Sequence, residues 1–348
     1  YALPLTGSDF SIKQDTKNVA KDLLQRIYTR LVEQKSEDTK WSTPETKGAY
    51  ETKLKEIDNL LNSGINTTSN YKESAKSLIE KYNSLNNRDT IVAAAKADLE
   101  KAAQAEKAEI AADKSLTEAE RKEKETAVDT KKAEEEAKIT AAENADKVAE
   151  AKTAGETAIK GVHTPGNLDT VKEAAKADLE KAAQAEKAEI AADKSLTEAE
   201  RKEKENAVDT KKAEEEAKIT AAENADKVAE AKTAGEAAVK AVHDNGDLEA
   251  NKEKALEAIQ TASEAKIASI DKNAKLSDDE KVAAKAEVAQ AAIAAVNAIN
   301  EAKNQDGVDA AQTTGVKAIE AVNPVGKEKA LEAIQTASEA KIASIDKN

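Results

Sequence analysis

His163 and His243 are the only histidines in the chain, and they stand 80 residues apart at equivalent points of a repeated pattern. Two imidazoles without further ligands nearby in sequence do not make a zinc site of the usual kind, so both read as solvent-exposed linker residues. Glu134-Glu135-Glu136 and Asp278-Asp279-Glu280 invite a cation. Neither has the loop spacing and glycine of an EF-hand, and a solvated face and a helix N-cap account for them. Cysteine is absent, which excludes disulfides, thiolate ligands and thiol nucleophiles. No Ser, His and Asp group together in the sequence, and there is no glycine-rich phosphate loop. Scattered carboxylates on exposed helices do not form an acid–base pair. These residues predict no enzyme, no cofactor and no metal.

Two short motifs carry little. Leu3-Pro4-Leu5-Thr6-Gly7 matches the LPxTG pattern of sorting signals, but such a signal precedes an apolar stretch and a basic tail. Here Ser8-Asp9-Phe10 follows, and the match reads as coincidence. Asn66-Thr67-Thr68 is a glycosylation sequon, which means little if the source is bacterial.

The scaffold that would position any of these groups is helical. Of the 348 residues 35% are charged and 2% aromatic, Met is absent, and Ala, Lys and Glu dominate, the profile of long surface helices. No run of about 18 apolar residues is present, so nothing is expected to span a membrane. The net charge of −14 disfavours nucleic acid and anionic lipid as partners. That charge is uneven: residues 1–88 carry 14 basic against 12 acidic residues, the remainder 40 against 56. All seven aromatic residues lie in the first segment, so two kinds of module meet near residue 89.

Residues 94–160 recur at 174–240 with three changes: Thr126 to Asn206, Thr157 to Ala237 and Ile159 to Val239. A diverged third copy follows at the same offset, and the 22 residues from Lys252 recur unchanged from Lys327. Each copy reads as three helices. The first runs from about Ala93 to Asp113, with Leu99, Ala103 and Ile110 on one face; in the third copy that face is Leu256, Ile259, Ser263, Ile267 and Ile270. Thr117 with Glu120, and Ser277 with Glu280, offer capping boxes that start the second helix, which runs to about Glu143. The third carries Val148, Ile159 and Val162, with Gly155 on the same side, where close helix approach leaves no room for a side chain. Pro165-Gly166, Asn245-Gly246 and Pro324-Val325-Gly326 end the units.

In the first segment, Ser11 with Gln14 offers a helix start, and Ala20, Leu23, Leu24, Ile27 and Leu31 an apolar stripe. Thr43-Pro44 begins a second helix with Tyr50, Leu54, Ile57 and Leu61 inward; a third carries Tyr71, Ala75, Leu78, Tyr82 and Leu85. Three amphipathic helices make a bundle. It reads equally as a binding head or as a structural cap. Tyr28, at the edge of its stripe, and Trp41, a staple over the helix start, are its candidate ligand-binding residues.

The Ala-rich first helix, the turn Leu116-Thr117…Glu120 and the pattern Val148…Ala151-Lys152-Thr153…Gly155 carry a resemblance, clearest in the third copy at residues 255–322. They resemble a helical repeat of unassigned function found in Gram-positive cell-wall surface proteins, long strings of which occur in the staphylococcal proteins Ebh and SasC. The resemblance covers about 89–348, and the first two copies depart from it in a more charged second helix. It implies an extracellular protein on the bacterial cell wall in which the repeats form a stalk.

The expectation is an all-α chain of tandem three-helix bundles forming an elongated rod. Its divisions are 8–88, 89–166, 167–246, 247–326 and a truncated first helix at 327–348. The expected role is that of a non-catalytic adhesin fragment whose repeats project an N-terminal protein-binding module. The alternative makes the repeats the multivalent binding or cell-aggregation surface and the bundle a cap. The partner in either case is a host extracellular protein or a neighbouring cell surface, with no nucleic acid and no membrane insertion.

Overall fold

The computed structural model describes residues 18–324 and the isolated positions 335, 339, 341 and 342. Among them the chain forms thirteen α-helices and no strand. The Leu3–Gly7 motif, the helix start at Ser11 and Gln14, and, apart from those four positions, the fourth-copy helix lie outside the described residues. The chain divides into two units, residues 1–168 and 169–348.

The N-terminal bundle comprises α1 (Val19–Glu33), the single turn α2 (Lys35–Asp38), α3 (Pro44–Asn62) and α4 (Thr68–Asn83). Helix α1 begins at Asn18, whose side chain accepts from the Lys21 amide at 3.0 Å. Thr43 and Thr67 cap α3 and α4 in the same way, Pro44 occupying the first turn where its missing N–H costs nothing. The caps leave Leu24, Tyr50, Leu54, Ile57, Leu61, Tyr71 and Leu78 to close one core. Two stripe residues differ from expectation. Leu23 is 56% exposed, because three short helices cover only a narrow face of α1, and Tyr82 is 37% exposed with its ring tilted against Tyr50 at 6.3 Å.

The repeats are built alike to the residue. Helices α5 (Arg88–Ala112), α6 (Glu118–Ala141) and α7 (Ala145–Lys160) recur as α8 (Leu168–Ala192), α9 (Glu198–Ala221) and α10 (Ala225–Lys240), then as α11 (Leu248–Lys272), α12 (Asp278–Glu301) and α13 (Gln305–Glu320). The first helix starts five residues before Ala93, since Asn87 accepts from the Thr90 amide, and the second ends at Ala141 rather than Glu143. Each second helix opens on a complete capping box at Thr117, Thr197 or Ser277. Six branched aliphatic positions are buried in every copy: Leu99, Ile110, Val128, Ile139, Val148 and Ile159 in the first, Ile259, Ile270, Val288, Ile299, Val308 and Ile319 in the third. Charged rows flanking these cores meet between helices, as in Lys107–Asp129 at 2.6 Å and Lys152–Asp98 at 3.3 Å. Such surface pairs add little stability each but orient the helices.

The recurrent glycine of each third helix faces inward, as its spacing predicts. A Cβ on Gly155 would lie 2.9 Å from Leu99 Cδ2 and 3.0 Å from Glu135 Cβ; one on Gly315 would lie 2.5 Å from Ala295 Cβ and 2.9 Å from Ile259 Cδ1. Glu135 therefore belongs to the packed interior and is buried, its carboxylate paired with Lys138 at 2.9 Å, which corrects the reading of the acidic triplet as a solvated face.

One helix departs from its counterparts. By length and composition α12 is apolar enough to cross a membrane, with a window of mean hydropathy 1.3, although no consecutive apolar run announced it. Alanine, valine and isoleucine together supply that hydropathy, and Ala284, Val288, Ala295 and Ile299 face the third repeat's core while Val282 and Ile293 are exposed.

Substituting Gly315→Ala should destabilise the third repeat by about 1–2 kcal/mol, overpacking outweighing a propensity gain of about 1 kcal/mol. Gly48→Ala, in α3 with nothing within 4 Å of its Cβ, should stabilise instead. Denaturant unfolding of both variants measures the two signs.

Candidate functional site

The structure overturns the reading of the histidines. His163 and His243 are 5% and 4% exposed, and each closes a polar cluster at the end of its repeat. In the first repeat the chain leaves α7 at Gly161, folds over the α5–α6 turn, and buries His163 against Asp113, with Nε2 2.7 Å from Oδ2. The same oxygen accepts the Gly166 amide at 3.0 Å. The other oxygen, Oδ1, accepts the Ser115 amide at 2.9 Å and the Ser115 hydroxyl at 2.5 Å. The His163 amide donates to Glu106 Oε2 at 3.0 Å. Arg121 donates to the carbonyls of Ile110, Asp113 and Leu116, closing the C-terminus of α5. The second repeat reproduces the set: His243 to Asp193 at 2.6 Å, its amide to Glu186 at 3.1 Å, and Gly246 to Asp193 at 3.1 Å.

Ser, His and Asp thus do meet in space, which the sequence reading missed because Asp113 and His163 are 50 residues apart. The order of bonds is not that of a nucleophile and base: the serine hydroxyl donates to the aspartate and not to the imidazole. Since an ionised carboxylate only accepts, the imidazole must carry its proton on Nε2. Burial works against ionising Asp113, but the bonds from Ser115, Gly166 and His163 outweigh it and hold the carboxyl down at about 2. Asp193 is held at about 2 by the same set. Burial pushes Glu106 and Glu186 up, against the amide bonds from the histidines. The glycines are obligatory, because a Cβ on Gly166 or Gly246 would run into the hydroxyl of Ser115 or Ser195.

The third repeat has Lys266, Asn273, Lys275 and Asn323 at the places of Glu186, Asp193, Ser195 and His243. Asn323 is exposed, and Lys266 instead reaches the carbonyl of Glu320, at the end of α13, at 3.0 Å. The buried latch is a property of the first two copies.

A second recurring contact joins neighbouring modules. The Ala145 amide, in the first turn of α7, donates to the Lys40 carbonyl of the N-terminal bundle at 2.9 Å. In the same way the Gln305 amide of α13 donates to Lys194, in the α8–α9 turn, at 2.8 Å. Asp306 then accepts the Glu198 amide at the start of α9 at 2.9 Å, so each helix start covers donors of the other.

Trp41 belongs to the first of these joints. It is half-buried against the first repeat's core, with Lys40 and Arg88 5.9 and 5.8 Å from its ring, and Arg88 continues to the Thr140 carbonyl at 2.9 Å. Tyr28 packs instead against the N-terminal bundle's own core; burial, then the Asp58 carboxylate it bonds, push its hydroxyl up. The two candidate residues lie in separate clusters and do not form one site.

Asp113 and Asp193, lowered from 3.8 to about 2, contribute stability that is present above pH 4 and lost as pH falls toward 2, about 2 kcal/mol each. Glu106 and Glu186, being raised, contribute in the opposite sense, their stabilisation present in acid and lost as pH rises. Unfolding free energy measured between about pH 5 and 2 should fall for the native chain, and fall less steeply for Asp113→Asn/Asp193→Asn.

No curated protein and no solved structure matches the chain. The model of a family described as Domain of Unknown Function (DUF1542), a repeat found in staphylococcal surface proteins, matches residues 93–166, 171–246 and 251–327. With most of its length in three tandem copies, the chain belongs to the DUF1542 repeat family.

Proposed function

We propose that the repeats are the stalk of a bacterial cell-wall adhesin, extending outward and carrying the N-terminal bundle as a protein-binding head for a host or neighbouring-cell protein. The observation that carries this reading is the docking of successive modules. Lys40 with Ala145, and Lys194 with Gln305, are the same bond made at two different joints, and nearest-neighbour contacts of one kind are what let a tandem array act as a single mechanical element. The acidic exterior keeps such an array solvated and prevents it from sticking to itself. An assignment of chemistry has nothing to rest on: the family is described as one of unknown function, and both Ser–His–Asp groupings are wired for structure.

The second reading, in which the repeats bind and the bundle is a cap, draws support from two features. Trp41 is spent on the first repeat's core rather than offered to a ligand, and the third repeat exposes Val282 and Ile293 on α12, where the first two copies have lysine and alanine.

Small-angle scattering tests the stalk. Four modules about 40 Å long, end to end, should give a radius of gyration of roughly 40 Å, whereas a globular chain of this length would give about 20 Å and remove the reading. Pull-down from plasma and cell extracts separates head from repeats. Competition by residues 8–88 supports the head, and competition by 89–326 alone supports the repeats.

A further inference from the structure

The latch of the second repeat encloses a group that can react without any enzyme. Asn245 is followed by Gly246, and position 246 has to be glycine because Ser195 leaves no room for a Cβ. An amide nitrogen with no side chain beside it is the most accessible internal nucleophile for a preceding asparagine. The Asn245 side chain is exposed and makes no hydrogen bond among the described residues, so its amide carbon is free to approach. What restrains the pair is the other partner: the Gly246 amide donates to Asp193 Oδ2 at 3.1 Å, and His243 holds that same oxygen at 2.6 Å.

We propose that Asn245 is a site of spontaneous deamidation gated by the His243–Asp193 latch, giving the second repeat's junction a slow, irreversible, charge-adding modification that the first repeat's cannot undergo. While the latch is closed, the Gly246 proton is directed at a carboxylate, whose negative charge opposes its removal, and the nitrogen is turned away from attack. When the latch opens, hydroxide takes that proton and the nitrogen attacks Asn245 Cγ. A nitrogen–carbon bond closes a five-membered imide, the side-chain carbon–nitrogen bond breaks, and ammonia leaves with a proton from water. Water then adds across either imide bond, giving aspartate or its β-linked isomer. The sum is one water consumed and one ammonia released. The product places a new carboxylate beside Asp193, Asp244 and Asp247, and the β-linked form lengthens the backbone by one carbon, so the latch cannot close again in its original register. The first repeat is immune at this place because Pro165 has no side-chain amide, and Asn167 is followed by Leu168, whose side chain shields its nitrogen.

The test uses the whole chain, aged at mildly alkaline pH, with peptide mass mapping of residue 245 and chromatographic separation of its two acidic forms. The guanidinium-unfolded chain supplies the ungated rate. Native Asn245 should react about tenfold or more slowly than unfolded, the change one charge-assisted hydrogen bond makes in an opening equilibrium. His243→Asn, the residue found at 323, should bring the rate of the still-helical chain close to the unfolded one, while His163→Asn leaves it unchanged. Equal native and unfolded rates would overturn the proposal, as would a folded His243→Asn chain that reacts as slowly as the parent. Should that variant lose its fold, the parent decides alone. Gly246 amide exchange and Asn245 deamidation should be slowed by similar factors, and a protected amide beside a fast-reacting asparagine would refute the gate.

Discussion

The carboxylate of Asp113, and its repeat Asp193, accepts four hydrogen bonds from three separate stretches of chain: the turn at Ser115, the imidazole at His163 and the linker amide at Gly166. Four is what an ionised carboxylate can take, so none of its capacity is left for water. The first repeat's core is made of seven branched aliphatics and a few alanines, a small apolar core for helices of this length. Such a core sets the helices side by side but does little to fix where the chain goes after the third one. The buried aspartate does that. It ties the segment leaving each of the first two repeats to the turn between that repeat's first two helices, while Glu106 or Glu186 holds the next donor on the path. Removing one partner would leave a buried charge short of its bonds, which is far costlier than losing a surface pair.

Much of the fold was legible in the sequence, and the reasons are local. Thr117 with Glu120 announces a helix start because both partners lie within one turn. Gly155 announces a close approach because a helix interior otherwise disfavours glycine. Tyr50, Leu54, Ile57 and Leu61 share a face by spacing alone and are buried together. What escaped reading depends on contacts between distant positions. His163 lies 50 residues from Asp113 and 57 from Glu106, so no window along the chain shows the three as partners. Their covariation across copies was the available signal: where His243 becomes Asn323, Asp193 becomes Asn273 and Glu186 becomes Lys266. Helix α12 escaped for another reason, since alanines, valines and isoleucines interrupted by single polar residues raise hydropathy without forming an apolar run.

The copies are therefore alike in architecture and unlike in what they do with it. The first two have charged second helices and a latched exit; the third has an apolar-faced second helix, an exposed Asn323 and a lysine over the carbonyl of Glu320. Helix lengths do not change between them, so the capping boxes, the inward glycines and the aliphatic positions suffice to specify the bundle. The latch is an addition to it, and it acts on the junction rather than on the fold.

Amide hydrogen exchange on the whole chain addresses that claim most directly. If the aspartate latch fixes the exits of the first two repeats, the amides of His163, Gly166, His243 and Gly246 should exchange far more slowly than that of Asn323, with the helices of all three repeats protected to similar degrees. Equal, fast exchange at all five junction amides, with the helices still protected, would contradict the account.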